Sequence, residues 1–423
     1  MTADGAPQAA SRSSMVIAAL STVVEWYDFT LYLYIATILS RVFFGGGETA
    51  LIAALAAFAI AYVLRPLGGI VFGYVGDRFG RRRMMLISVA VMTVAMLATG
   101  LMPTGAQMGP AAGTVFILLR CVMGFSVGGE YNGVVAYLLE SAPPDRRGLV
   151  TSSASAASEV GGLLAVAVSA LVANHLSRAS LDAWGWRIPF LVGAALAATI
   201  WIARSAMEES PDFRRQRMTR TIPRNPLRHA IARHRAGIWR AFAISALGSV
   251  TYYVGITYVP AFLVSSGAMS EGRSLWLSTA AAVMVILVTP VTGLLSDRLG
   301  RKPVLIFLGL GSIILPAVMF HLMTGPTVSV LCGALVLAGL AGAVSAVGAV
   351  ATAEQFPGEG RLSGLALGTT SATAVFGGLT PYVAQVLTER TGWLPIPGAM
   401  IATVALCILP VLLTLPETAP RTR

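Results

Sequence analysis

Charge is what this chain has least of. Asp, Glu, Lys and Arg make up 12% of its 423 residues, about half of what a soluble domain carries. Cysteine is nearly absent. Cys121, Cys332 and Cys407 all fall inside apolar runs, which excludes a disulfide framework and a cysteine metal site. The four histidines fall at predicted surface positions, His175 and His321 on one side and His229 and His234 on the other, so no histidine relay is expected. No cluster of nucleophile, metal or cofactor ligands appears, so the chain is not read as an enzyme.

Apolar sequence is what remains. Hydrophobic residues are 56% of the chain, and runs of 18 or more recur, each long enough to cross a bilayer as a helix. The first, over 15–39, is too long for a cleaved leader and is expected to stay as the first span. Twelve spans are predicted: 15–39, 50–75, 84–102, 112–139, 151–173, 188–205, 238–264, 275–296, 303–322, 328–353, 364–387 and 398–415.

The net charge of +11 is unevenly placed. With the N-terminus inside, the inner loops collect Arg78, Arg81, Arg82, Arg83, Arg146, Arg147, Arg298, Arg301 and Lys302. They also collect ten arginines from Arg204 to Arg240. The outer loops hold only Arg41, Arg178, Arg187, Arg273 and Arg390. This bias is the topology signal of a membrane protein with both termini cytoplasmic, and it leaves no case for nucleic acid as a partner. The polar connector, 206–237, divides an N-terminal bundle, 1–205, from a C-terminal bundle, 238–423.

The two bundles carry a repeat. Gly73-Tyr74-Val75-Gly76-Asp77-Arg78-Phe79-Gly80-Arg81-Arg82 returns as Gly293-Leu294-Leu295-Ser296-Asp297-Arg298-Leu299-Gly300-Arg301-Lys302. Glu140-Ser141-Ala142-Pro143 returns as Glu354-Gln355-Phe356-Pro357, and Val160-Gly161-Gly162-Leu163 as Phe376-Gly377-Gly378-Leu379. Duplicated membrane bundles usually serve transport, two halves rocking about a solute site at mid-depth. The repeated turns, with Arg298 among their residues, read as gates, with Arg78, Arg81 and Arg301 reaching Glu140 and Glu354, and Asp77 and Asp297 bonding a neighbouring helix N-terminus.

Charges inside spans cost roughly 2.5–3.5 kcal/mol each on insertion scales, so the few present are informative. Glu25 and Asp28 are three residues apart and share one face of the first span, where two acids can hold one proton. They lead the candidates for proton coupling, followed by Glu130 and Glu159. A purely structural ion pair, for instance with Arg120, is the alternative. Arg120 suits a substrate carboxylate. Trp26, Tyr27 and Tyr253 stand among aromatics that either line a pocket, where they could hold a quaternary ammonium, or belong to packing and interfacial belts.

These residues also carry a family resemblance. The repeated turn resembles that of the major facilitator superfamily, over the full chain. Val24-Glu25-Trp26-Tyr27-Asp28-Phe29, Gly124-Phe125-Ser126-Val127-Gly128-Gly129-Glu130-Tyr131, Trp184-Gly185-Trp186-Arg187-Ile188-Pro189-Phe190 and Glu209-Ser210-Pro211-Asp212-Phe213 are similar to its metabolite–proton symporter family. That family includes carriers of proline and betaine, citrate, 2-oxoglutarate and shikimate. The resemblance implies an all-α fold of twelve transmembrane helices in two pseudo-symmetric six-helix bundles. It implies proton-coupled import of a small carboxylate-bearing metabolite, with protons as coupling ion and no cofactor, and a monomer in a bacterial inner membrane. A compatible-solute carrier is the alternative, and a non-transporting nutrient sensor is the alternative of another class. The helix 4 pattern Arg-x-x-Gln-Gly reads Arg120-Cys121-Val122-Met123-Gly124 here, with Met123 in place of glutamine.

Overall fold

A computed structural model of the chain describes residues 10–46 and 48–420. Among the described residues, eleven helices are long and apolar enough to span a bilayer, and a bent pair supplies a twelfth. In chain order these are α1 (Arg12–Tyr34), α2 (Ile52–Phe79), α3 (Arg81–Leu101), α4 (Ala111–Ser141), α5 (Pro144–His175) and α6 (Arg187–Ser205). The bent pair Arg235–Thr257 and Val259–Ser265 forms α7, followed by α8 (Trp276–Leu299), α9 (Arg301–Leu322), α10 (Thr327–Ala353), α11 (Arg361–Thr391) and α12 (Ile396–Thr414). The twelve predicted spans are thus all present, with α7 bent by 42° just ahead of Pro260. A proline cannot donate to the preceding turn, which loosens the helix there. The backbone of α7 also widens into a π-turn over Tyr253–Thr257, and that of α11 over Ala366–Thr370.

The helices group into two compact units, one of residues 1–137 and 157–227, the other of residues 138–156 and 228–423. The division differs from a cut at the connector. The adjoining ends of α4 and α5 join the second unit, held there by ion pairs described below. Within each unit the packing repeats: α2 lies along α4 and α3 along α6 in the first, as α8 lies along α10 and α9 along α12 in the second.

The first unit packs α2 and α4 backbone to backbone. A Cβ on Gly68 would sit 1.8 Å from the Phe125 carbonyl oxygen, and one on Gly128 2.0 Å from that of Arg65. Small residues of this kind let membrane helices touch. The approach brings Arg65 and the α4 side chains within reach of α1. A buried cluster that includes Leu31, Tyr32, Phe43, Phe116, Trp186 and Phe190 closes one end of this unit, with Phe43 and Phe116 stacked at 4.6 Å.

Candidate functional site

One face of α1 carries Ser21, Glu25, Asp28 and Tyr32, at spacings of four, three and four residues. All four are buried, and each meets an arginine from a different helix of the first unit, or the same arginine as its neighbour.

The Asp28 rung is the tightest in geometry. Nη1 of Arg120, from α4, donates to both carboxylate oxygens of Asp28 at 3.0 Å. The two side chains are 7% and 3% exposed, so both charges are desolvated and depend on each other. The guanidinium lies 5.6 Å from the ring centres of Tyr32 and Phe190 and 5.9 Å from that of Phe116, in reach of cation–π attraction. Nε and Nη2 of Arg120 have no hydrogen-bond partner among the described residues. The Tyr32 hydroxyl donates to the Ala54 carbonyl at 2.5 Å, which fixes its ring against α2.

The Glu25 rung is looser. Oε1 lies 3.8 Å from Nη1 of Arg65, an ion pair without a hydrogen bond. Oε2 has no hydrogen-bond partner among the described residues. Arg65 also lies over Tyr62 at 4.7 Å and Phe29 at 5.2 Å.

The third rung is the most enclosed. Arg204 of α6 donates to Glu130 and to Ser21, and Ser88 also donates to Glu130. Arg204 Nη1 donates to the Met85 carbonyl at 2.6 Å. Glu130 and Arg204 are each fully buried. Glu130 opens the helix after the break at Gly128-Gly129, ten residues beyond Arg120, about 15 Å along a helix. Glu159 is buried in α5. A Cβ on Gly161 would meet the Val23 carbonyl at 2.3 Å, so α5 runs beside the α1 segment that carries Glu25.

The structure separates the remaining predicted contacts. Glu25 and Asp28 each take their own arginine, so Arg120 serves Asp28 alone. The Tyr27 hydroxyl donates to the Pro189 carbonyl at 2.8 Å, which ties this buried side chain to α6. Trp26 is half-buried beside Phe29 at 5.4 Å. Tyr253 belongs to the second unit, edge-on to Tyr252 at 5.6 Å. Arg65, Arg204, Ser21 and Ser88 were missed by sequence reasoning. The only available signal was that both arginines border or interrupt an apolar run.

The repeated turns take matching forms. Gly80 and Gly300 have φ of +113° and +100°, a conformation that glycine adopts without strain. Each lets the chain enter the following helix at once. Asp77 pairs with Arg81 at 3.2 Å, and Asp297 with Arg301 at 2.8 Å. A glutamate placed after the sixth span of each unit reaches back to cap this turn. Glu209 accepts from the backbone N–H of Arg81 and Arg82 at 3.0 and 3.2 Å. Glu417 accepts from Arg301 and Lys302 at 2.9 and 3.1 Å. A negative charge at a helix N-terminus is the favourable placement.

In the second unit Asp297 also accepts from the N–H of Gly148 and Leu149, near the start of α5, at 2.7 and 2.9 Å. Arg301 reaches Glu354 at 3.2 Å. Glu140 pairs with Arg361 at 2.6 Å. Arg78 Nη1 donates to the Pro223 carbonyl at 3.4 Å, and Arg81 Nη1 to that of Gly76 at 2.9 Å. Arg298 is exposed. His229 and His234 are half-buried, their rings 5.4 Å apart, where solvated side chains were expected.

Glu417 gives a pH prediction. Burial by itself pushes its carboxyl up, but the N–H groups of Ala419, Arg301, Lys302 and Thr418 outweigh that and hold it below the ordinary 4.5. Its stabilisation is therefore present above the unfolded value and lost as pH falls through the folded one. Glu417→Gln should lower stability by about 0.5–1 kcal/mol at neutral pH, the low end for a helix cap because the side chain is exposed. Thermal melts of the variant and the parent should converge below pH 4.5.

Known proteins agree with this architecture. The family described as Sugar (and other) transporter matches residues 14–221, and Major Facilitator Superfamily matches 268–423. The chain is 32% identical to the glycine betaine/proline/ectoine/pipecolic acid transporter OusA of Dickeya dadantii, over 96% of this chain and 84% of that one. It is 31% identical to the citrate-proton symporter of Klebsiella pneumoniae, over 91% and 87%. The proton:xylose symporter XylE, solved with 6-bromo-6-deoxy-D-glucose, superposes with a TM-score of 0.82 at 20% identity over 96% of both chains. A duplicated twelve-span bundle whose first helix bears a ladder of buried ion pairs, alike over its whole length to such carriers, is a multi-pass secondary transporter and no enzyme: the chain belongs to the major facilitator superfamily and, within it, to the metabolite–proton symporters.

Proposed function

We propose that the protein imports a small carboxylate-bearing metabolite, such as an organic acid, together with protons. It works as a monomer in a bacterial inner membrane with both termini cytoplasmic. The observation that carries the reading is the ladder on α1. Four buried carboxyls, Glu25, Asp28, Glu130 and Glu159, share the first unit with three arginines paired to the first three. A carboxyl of this set takes up and releases the coupling proton. Arg120 keeps two N–H-bearing nitrogens without a partner among the described residues, and a solute carboxylate is the natural acceptor for such a fork. The gate network of Asp297, Arg301, Glu354, Glu140 and Arg361 is the element that opens and closes, with Asp77, Arg78 and Arg81 forming its counterpart turn.

A second reading, uptake of a zwitterionic compatible solute, is favoured by the Dickeya relative. Such a solute also presents a carboxylate to Arg120.

Uptake into proteoliposomes with and without an inward proton gradient tests both. A panel of dicarboxylates, aromatic acids and betaines should contain one compound that accumulates only with the gradient. Equal rates in the two conditions would remove the coupling.

A further inference from the structure

The second unit has a groove of about 610 Å³ on the outside of α7 and α12, far along the chain from the ladder. Its floor is made of small side chains on one face of α7, Ala243 and Ala246 among them, and Ile408 lies opposite on α12. Trp239, 70% exposed, stands at one end. The α7 lining runs from Ala236 to Ala246, ten residue steps or about 15 Å at the helical rise.

No acidic side chain lines this trough, and its one charged member is Arg240. Arg240 lies five residues from the start of α7 at Arg235, is half-buried, and has no hydrogen bond or ion pair among the described residues. A narrow apolar trough with an unpaired guanidinium and an indole at one end has the shape and charge of one lipid: an acyl chain with an anionic headgroup. A second copy of the chain would fit worse. Its apolar surface would bury the guanidinium with nothing to neutralise it.

We propose that this groove is a binding site for an anionic phospholipid, its acyl chain between α7 and α12 and its phosphate on Arg240. The proposal uses the membrane location of the chain and is independent of what the carrier transports.

Cys407 lines the groove and is exposed, while Cys332 is exposed on α10. They give a direct readout on the full-length protein with Cys121 replaced by serine. Maleimide labelling would be followed in nanodiscs of phosphatidylglycerol and of phosphatidylcholine. In phosphatidylglycerol, Cys407 should react about fivefold more slowly than in phosphatidylcholine, the ratio set by about one basic-residue contact. Cys332 should react alike in both. Arg240→Ala should abolish the difference at Cys407, and Arg240→Lys should keep most of it. Equal Cys407 rates for the parent in the two lipids would overturn the site, and this arm needs no variant to fold. Retention of the difference in Arg240→Ala would also overturn it. Protection that follows protein density and not lipid charge would assign the groove to a second copy instead.

Discussion

Replacing Arg120 with leucine is expected to cost the first unit about 3–5 kcal/mol, because Asp28 is then left as a buried charge with no partner. Its carboxylate is 7% exposed and takes both of its hydrogen bonds here from one guanidinium nitrogen. For a unit of this size the loss corresponds to a fall of about 10 °C in the melting midpoint, readable by thermal unfolding in detergent. Asp28→Asn alone should also destabilise, since it leaves the guanidinium among three aromatic rings without its counter-ion. The double variant Asp28→Asn with Arg120→Leu should recover most of the stability, because it removes both charges together. It should not recover transport, because the proposed carboxylate contact is gone. An unchanged midpoint in Arg120→Leu would refute the structural account. Recovered uptake in the double variant would make Arg120 a structural arginine and remove it from solute binding.

That rung was half visible in the sequence. Acids in an apolar helix are rare, so Glu25 and Asp28 stand out, and their spacing alone places them on one face. Their partners were less visible. Arg204 looks like any cytoplasmic arginine at the end of a span, and its link to Glu130, 74 residues away, depends on which faces α4 and α6 turn to each other. Arg65 lies inside a span and is informative for that reason, but nothing local says which acid it meets. The repeat worked in the same way. The ten-residue turn pointed to Asp77, Arg81, Asp297 and Arg301, but not to the pairs Asp77–Arg81 and Asp297–Arg301, whose members are four apart across the turn. Glu209 and Glu417 share only a Glu-Ser and a Glu-Thr pair after the sixth and twelfth spans, too short an echo to find without the coordinates. The grouping of 138–156 with the second unit rests on Arg361–Glu140 and the Asp297 cap, contacts between segments more than 140 residues apart.

The ladder also predicts which carboxyl moves the proton. Neutralising a carboxylate costs the interactions its charge makes. Asp28 would lose two charge-assisted hydrogen bonds at 3.0 Å. Glu130 would lose its contacts with Arg204 and Ser88 in a fully buried setting. Glu25 would lose only a contact at 3.8 Å, and its Oε2 has no hydrogen bond to give up. Of the three, Glu25 is the acid that can exchange a proton most cheaply, and its partner Arg65 retains the rings of Tyr62 and Phe29 when the charge is gone. Glu25→Gln imitates the protonated state permanently. The variant should still fold and should still exchange solute across a proteoliposome membrane without a gradient. It should lose gradient-driven accumulation, the ratio falling towards one from the roughly 50-fold that one charge moving through 100 mV supports. Asp28→Asn should lose exchange as well, since its pairing holds Arg120 in place. If Glu25→Gln accumulates solute as the parent does, proton coupling lies elsewhere, and Glu159, another buried carboxyl of the first unit, becomes the residue to replace.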